Sequence, residues 1–196
     1  MKRLVLASGS PRRRELLTAL EIPFTVSPSG VDESIPAGVS PAEGALLVAE
    51  RKTAGAAALL GPEDIVLAAD TIVVVDGAIL GKPRDEEEAR RMLSTLSGRA
   101  HEVVTGVALL DEGRCRKIAV TTEVFFRKLD LPMIEWYLST KEPFDKAGGY
   151  GIQGFASCFV ESIKGSFTNV VGLPLAETVA LLEEVGFAPW QRGRCR

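Results

Sequence analysis

The chain is predicted to fold as an α/β protein on a mixed β-sheet, and three features of the sequence say so. Apolar runs of strand length alternate with longer runs of helix length. Helix starts carry cap signatures at Ser10, Ser40, Asp85 and Asp130. Two turn sequences, Asp76-Gly77 and Asp111-Glu112-Gly113, join apolar runs as hairpins. Helices between strands give parallel neighbours and hairpins give antiparallel ones, so the sheet holds both.

Each element has its own reason. Lys2 to Ala7 is a short apolar run, read as a buried strand. Ser10 then caps a helix to Leu20, with Pro11 at the first helical position, where no N–H is needed. Phe24 to Val26 is strand, and Ser27 to Gly38 is a Pro/Gly/Asp loop. Ser40-Pro41 opens an Ala/Leu-rich helix to about Leu60, stopped by Gly61-Pro62. Ile65 to Ala69 is a strand that ends at Asp70, and Thr71 to Val75 continues as strand into the Asp76-Gly77 turn. Asp85 with Glu88 gives a capping-box-like start to a helix ending near Leu96. Ala100–Leu110 and Arg114–Arg127 make a long hairpin. Asp130 caps a helix through Leu138, Ala156 to Ile163 is strand, and Pro174 to Val185 is helix.

A chain of 196 residues and 21.0 kDa has the length of one domain, or of two small lobes sharing a core. Its composition, 46% hydrophobic and 25% charged, excludes dominant disorder. The net charge of −3 excludes nucleic-acid binding by bulk charge and leaves only a local basic site. Three widely spaced cysteines without CxxC spacing make no disulfide framework, which fits a reducing, cytoplasmic compartment. The lone His101 excludes His-rich zinc sites. Leu4–Ala7 is too short for a leader, and the charge-free stretch Ala147–Val160 is too short and glycine-rich to span a bilayer, so no membrane role is expected. Residues 1–187 read as the folded part of the chain, and 188–196 as a loose tail.

Five places could carry chemistry. At the Ser8-Gly9-Ser10-Pro11 junction the start of a helix offers N–H groups to an anion, and Arg12, Arg13 and Arg14 crowd an end where basic groups oppose the helix dipole. An anion would compensate them, although a plain cap with a solvated arginine cluster is an equal alternative. Asp70 is a carboxylate on an apolar strand and needs a partner; Asp32 and Glu33 could join it around a divalent cation beside phosphates. Taken alone it reads better as a turn aspartate. Lys52, Lys82 and Lys146 could neutralise phosphate charge, although a single lysine is usually a surface residue. In Glu142–Gly154 the glycines permit close backbone approach to a ligand, and Gln153 offers a donor and an acceptor to a uracil or thymine edge. His101, at a strand start, is read as a structural hydrogen-bonder, and Arg99 as a phosphate or carboxylate partner.

Six segments in order, LASGSPRRRELL, VDES, AADTIVVVDGAILGKPRDEEEA, LSGRAHEVVTGVAL, EPFDKAGGYGIQG and NVVGLPL, resemble the Maf family of nucleoside triphosphate pyrophosphatases from Leu4 to about Leu182. The Gln-containing DKAGGYGIQG form resembles the branch that hydrolyses dTTP and UTP. The resemblance implies an elongated α/β fold with a curved mixed sheet, two lobes with a nucleotide-binding cleft, and a homodimer. It implies Asp70 as proton acceptor, and Arg12, Thr71 and Gln153 as specificity positions. Glu33, Lys52 and Lys82 match charged pocket positions, and Ser8, Ser10 and Arg13 lie in the matching first segment. Glu21 departs from the family pattern, where glycine is common, and Phe167 stands where Tyr is frequent.

The expected reaction is NTP + H₂O → NMP + PPi, a house-cleaning hydrolysis. Asp70 activates the water directly or by holding Mg²⁺ or Mn²⁺ together with Glu33. Arg12, Lys52 and Lys82 cradle the triphosphate, with Arg13 a weaker candidate. Modified pyrimidine nucleotides are a further substrate class. The competing expectations are a pyrophosphatase for 7-methyl-GTP or other non-standard nucleotides, and a nucleotide-binding regulator of cell division or septum formation.

Overall fold

In the computed structural model, which describes residues 2–61, 63–187 and 190, seven strands form one sheet. The strands are β1 (Arg3–Leu6), β2 (Phe24–Val26), β3 (Asp64–Val75), β4 (Ala78–Leu80), β5 (Ala100–Asp111), β6 (Arg114–Phe126) and β7 (Val160–Lys164). The helices are α1 (Pro11–Ala19), α2 (Pro41–Ala57), α3 (Glu86–Leu96), α4 (Leu131–Ser139), α5 (Phe167–Val171) and α6 (Leu175–Glu184). The sheet order is β2-β1-β3-β5-β6-β7, with β4 also paired to β3. β1 runs parallel to β2 and β3, while β3–β4 and β6–β7 are antiparallel, so the expected mixed α/β fold is present. The tail expected at 188–196 lies outside the described residues, Trp190 apart.

The chain divides into two compact units. The first holds the residues up to Asp70, Thr105–Val120 and those from Gly172 on; the second holds Thr71–Val104 and Thr121–Val171. In the first unit α2 turns one face inward: Gly44, Ala45, Val48, Ala49, Lys52, Thr53 and Ala56, the three-and-four spacing of a helix stripe. A side chain on Gly106 of β5 would lie 2.4 Å from the Ala45 carbonyl carbon, so the glycine lets helix and sheet approach. Ser40 starts this helix with a full capping box to Glu43. Glu21, where the resembled family commonly has glycine, sits at φ +53°, in the left-handed region that glycine favours.

The second unit has one large core, in which α3 gives Ala89, Leu93 and Leu96, α4 gives Ile134, Tyr137 and Leu138, and β6 gives Val124 and Phe126. The Asp76-Gly77 turn has φ of +50° and +76°, the two left-handed residues a tight hairpin needs, and Val75 pairs with Ala78 across it. Buried Asn169 of α5 donates to the Val103 carbonyl and to Thr122 Oγ1, both at 3.0 Å.

Three local expectations are corrected. Asp70 does not end a strand: Asp64–Val75 is one strand of twelve residues, buried along nearly its whole length, which is why its sequence reads as a continuous apolar run. The strand expected from Ala156 begins only at Val160; Phe155–Phe159 is a 3₁₀ turn that buries Ala156 and Phe159, three apart rather than two. Asp85 does cap α3 through the Glu88 N–H, but the Glu88 carboxylate turns to the backbone and guanidinium of Arg84, so no reciprocal box forms.

His101 is buried, with Nε2 2.7 Å from the Tyr150 hydroxyl, as a structural hydrogen-bonder would be. Burial, and behind it the Arg99 charge, lowers its pKa from 6.5 to about 4. Between those values an unfolded chain takes up a proton that the folded chain refuses. The neutral imidazole therefore contributes stability above pH 6.5 that drains away as pH falls toward 4. Urea unfolding at pH 7.5 and pH 5 is expected to differ by on the order of 2 kcal/mol more in the parent than in His101→Gln. An equal pH response in both proteins counts against this.

Candidate active site

In the first unit a lysine stands on the apolar stripe of α2. Lys52 is 7% exposed, and an ammonium so placed needs counter-charges. It has two: Nζ lies 2.8 Å from Asp70 Oδ1 and 2.8 Å from Glu33 Oε1. Asp70 is itself 9% exposed and arrives on β3. Glu33 arrives on the loop between β2 and α2. That loop is seated on the helix, where Val31 and Ile35 pack against Gly55 and Gly44 at positions a Cβ would occupy, 2.5 and 2.6 Å away. Arg51 Nη1 donates to the Ser34 carbonyl at 2.7 Å and ties the same loop. Asp32 accepts from the Ser34 N–H and hydroxyl, so it shapes the loop, and its pKa is lowered by those bonds.

The same unit holds the start of α1. Ser10 is the N-cap, but its hydroxyl makes no capping bond; its N–H donates to Ser8 Oγ at 3.2 Å. Arg13 is buried, with Nε donating to the Gly172 carbonyl at 2.7 Å and Nη1 to Ser8 Oγ at 3.1 Å. Burial pulls the Arg13 pKa down, the Asp70 charge opposes that, and the Arg12 charge adds to it. The three arginines therefore differ: Arg13 is built into the fold, Arg12 is half-buried and Arg14 is exposed.

The second unit begins with Thr71, half-buried on β3 next to Asp70 in the chain. It carries Lys82 and Gln153, both exposed. The Gly148 N–H donates to the Gly81 carbonyl at 2.9 Å and so fixes the backbone beside Lys82. Lys146 is committed to protein, donating to the Glu142 carbonyl at 2.8 Å and to Asp145. Arg99 pairs with Asp76.

Sequence reasoning found Asp70 and Glu33 through motifs and Lys52 through the family resemblance, but missed the pattern that explains Lys52. Positions 45, 48, 49, 52, 53 and 56 form one apolar helix face, and a lysine on it signals a buried ion pair. It also missed Tyr137, and gave Glu142 no role of its own. Asp70 and Glu33 offer hard oxygen donors of the kind Mg²⁺ or Mn²⁺ takes, and in this structure both turn an oxygen to the Lys52 ammonium. Among the described residues no group of three or more His, Cys, Asp or Glu side chains could hold a metal ion.

Fold and side chains together define an α/β protein that gathers two carboxylates around a buried ammonium, with an arginine-rich helix start in the same unit. The family model of Maf-like proteins matches residues 3–185. The chain is 50% identical over 195 residues to a dTTP/UTP pyrophosphatase of Anaeromyxobacter dehalogenans, covering 97% of this chain and 98% of that one. It is 52% identical over 188 residues to a dTTP/UTP pyrophosphatase of Halalkalibacterium halodurans, covering 96% and 98%. A solved nucleoside-triphosphatase / dITP/XTP pyrophosphatase from Mycobacterium abscessus aligns at a TM-score of 0.43 with 16% identity, over 93% of this chain and 94% of that one, a likeness too distant to bear further weight. The chain belongs to the Maf family.

Proposed function

We propose that this protein is a nucleoside triphosphate pyrophosphatase that hydrolyses dTTP and UTP to the monophosphate and pyrophosphate. The observation that carries the reading is the Lys52 ammonium held 2.8 Å from both Asp70 and Glu33 on a buried helix face. Its relatives of about 50% identity over nearly their whole length, named dTTP/UTP pyrophosphatase, support the substrate class.

In the reaction a water oxygen bonds to the α-phosphorus while the bond from that phosphorus to the bridging oxygen of the β-phosphate breaks. The electron pair leaves on pyrophosphate. Asp70 takes the water's proton, and Lys52 fixes Oδ1 so that the carboxylate keeps one orientation. Arg12 and Lys82 offset charge growing on the leaving pyrophosphate. Ser8 and Ser10 frame the start of α1, with Arg13 braced beneath them. Gln153 pairs with the base edge, and Thr71 is a further specificity position. Asp70 and Glu33 would hold a divalent cation, which supplies charge neutralisation and a more acidic water when bound. A homodimer in the cytoplasm belongs to the same reading; among the described residues no helix is long and apolar enough to cross a membrane.

A nucleotide panel tests this, with pyrophosphate and orthophosphate measured separately. Pyrophosphate released mainly from dTTP and UTP is expected with Mg²⁺ or Mn²⁺, and Gln153→Ala should blur that preference. Orthophosphate release overturns the chemistry, and a preference for 7-methyl-GTP overturns the substrate class. No turnover of any nucleotide, with binding retained, moves the protein to the nucleotide-binding regulators.

A further inference from the structure

The residues that carry Gln153 form a four-residue turn. The Gly154 N–H donates to the Gly151 carbonyl at 3.1 Å, with Ile152 buried and Gln153 exposed between them. The residue that follows this turn is tied to one side chain. Glu142 Oε2 accepts from the Phe155 N–H at 2.9 Å. Glu142 Oε1 accepts from the Tyr137 hydroxyl at 3.0 Å. Tyr137 itself is fully buried in the core of the second unit, so the tie is anchored to packed structure.

The glycines make this approach feasible. A Cβ on Gly154 would lie 2.2–2.4 Å from the Glu142 carboxyl group, and one on Gly151 would lie 2.7 Å from Lys146 Cε. Lys146 closes the other side by donating to the Glu142 carbonyl. The two glycines around Ile152-Gln153 thus serve a carboxylate of this chain as well as any ligand.

We propose that Glu142 is a positioning residue for Gln153, clamping the backbone just after its turn to the buried Tyr137 so that the amide meets the base in one orientation and the pyrimidine preference follows. This rests on the reading of Gln153 as the group that recognises the base. A carboxylate is suited to the role because two N–H or O–H donors need two acceptor oxygens. An amide at the same place keeps one acceptor oxygen and loses the charge that strengthens both bonds.

The test compares UTP with GTP in the parent, Glu142→Gln, Tyr137→Phe, Gln153→Ala and the double variant Glu142→Gln/Gln153→Ala. Melting curves check that each is folded. Glu142→Gln and Tyr137→Phe are expected to raise KM for UTP about tenfold with kcat largely retained, the worth of one charge-assisted hydrogen bond, and to lower the UTP-to-GTP preference. The double variant should discriminate no worse than Gln153→Ala alone, because the clamp acts through that residue. A merely structural role would lower all nucleotides alike and add to Gln153→Ala. Additive losses, or a preference unchanged in folded Glu142→Gln and Tyr137→Phe while Gln153→Ala blurs it, overturn the clamp. An unchanged preference in Gln153→Ala overturns the base reading, and the clamp with it.

Discussion

Asp70→Asn is expected to lower turnover of UTP and dTTP by about 10²-fold or more while the protein stays folded. Asparagine has the shape of aspartate, and its amide oxygen still accepts from Lys52 Nζ where Oδ1 does now, 2.8 Å away. What is lost is the oxygen that takes the water's proton and half of the carboxylate pair. The loss should therefore fall on kcat, with the melting temperature close to the parent's. Turnover within a few-fold of the parent would remove Asp70 from the reaction and leave it as the counter-charge of Lys52.

Lys52→Met separates that counter-charge role from catalysis. The methionine stem fills the slot on the α2 stripe but leaves the Asp70 carboxylate buried without its ammonium. Breaking a buried pair in this way costs about 3–5 kcal/mol, and the Arg13 charge that already acts on Asp70's surroundings places the loss at the lower end. Urea unfolding reads it directly. The double variant Asp70→Asn/Lys52→Met removes the stranded charge and is expected to regain most of the stability while remaining inactive. A Lys52→Met protein as stable as the parent, or a double variant less stable than Lys52→Met, would show that the ion pair does not hold this part of the fold.

Much of the architecture is written locally. Ser40, Asp85 and Asp130 each cap the helix that follows, because a short oxygen-bearing side chain satisfies N–H groups two or three residues ahead whatever the rest of the chain does. Asp76-Gly77 turns the chain because two left-handed residues suffice for it. Those features were legible, as was the membership of Asp70, Glu33, Lys82 and Gln153 in recognisable motifs; Lys52 lies outside those motifs and its pocket role came from the family resemblance. The stretch from Phe155 to Phe159 was not, since its apolar residues suit a strand and only their packing selects a period of three.

By itself, then, the sequence determined the caps, the hairpin turns, the identity of the charged residues and the order of the longer elements, while α5 and the 3₁₀ turns escaped it. Only the tertiary structure decided who meets whom. Lys52 finds Asp70 across eighteen residues of chain, Arg13 finds the Gly172 carbonyl across 159, and Glu142 gathers donors from Tyr137 and Phe155 at once. The physical reason is the same in each case. A buried charge or N–H must be paired, many partners of suitable chemistry exist along the chain, and packing of α2 against β3, or of α4 against its neighbours, brings only one or two of them within reach.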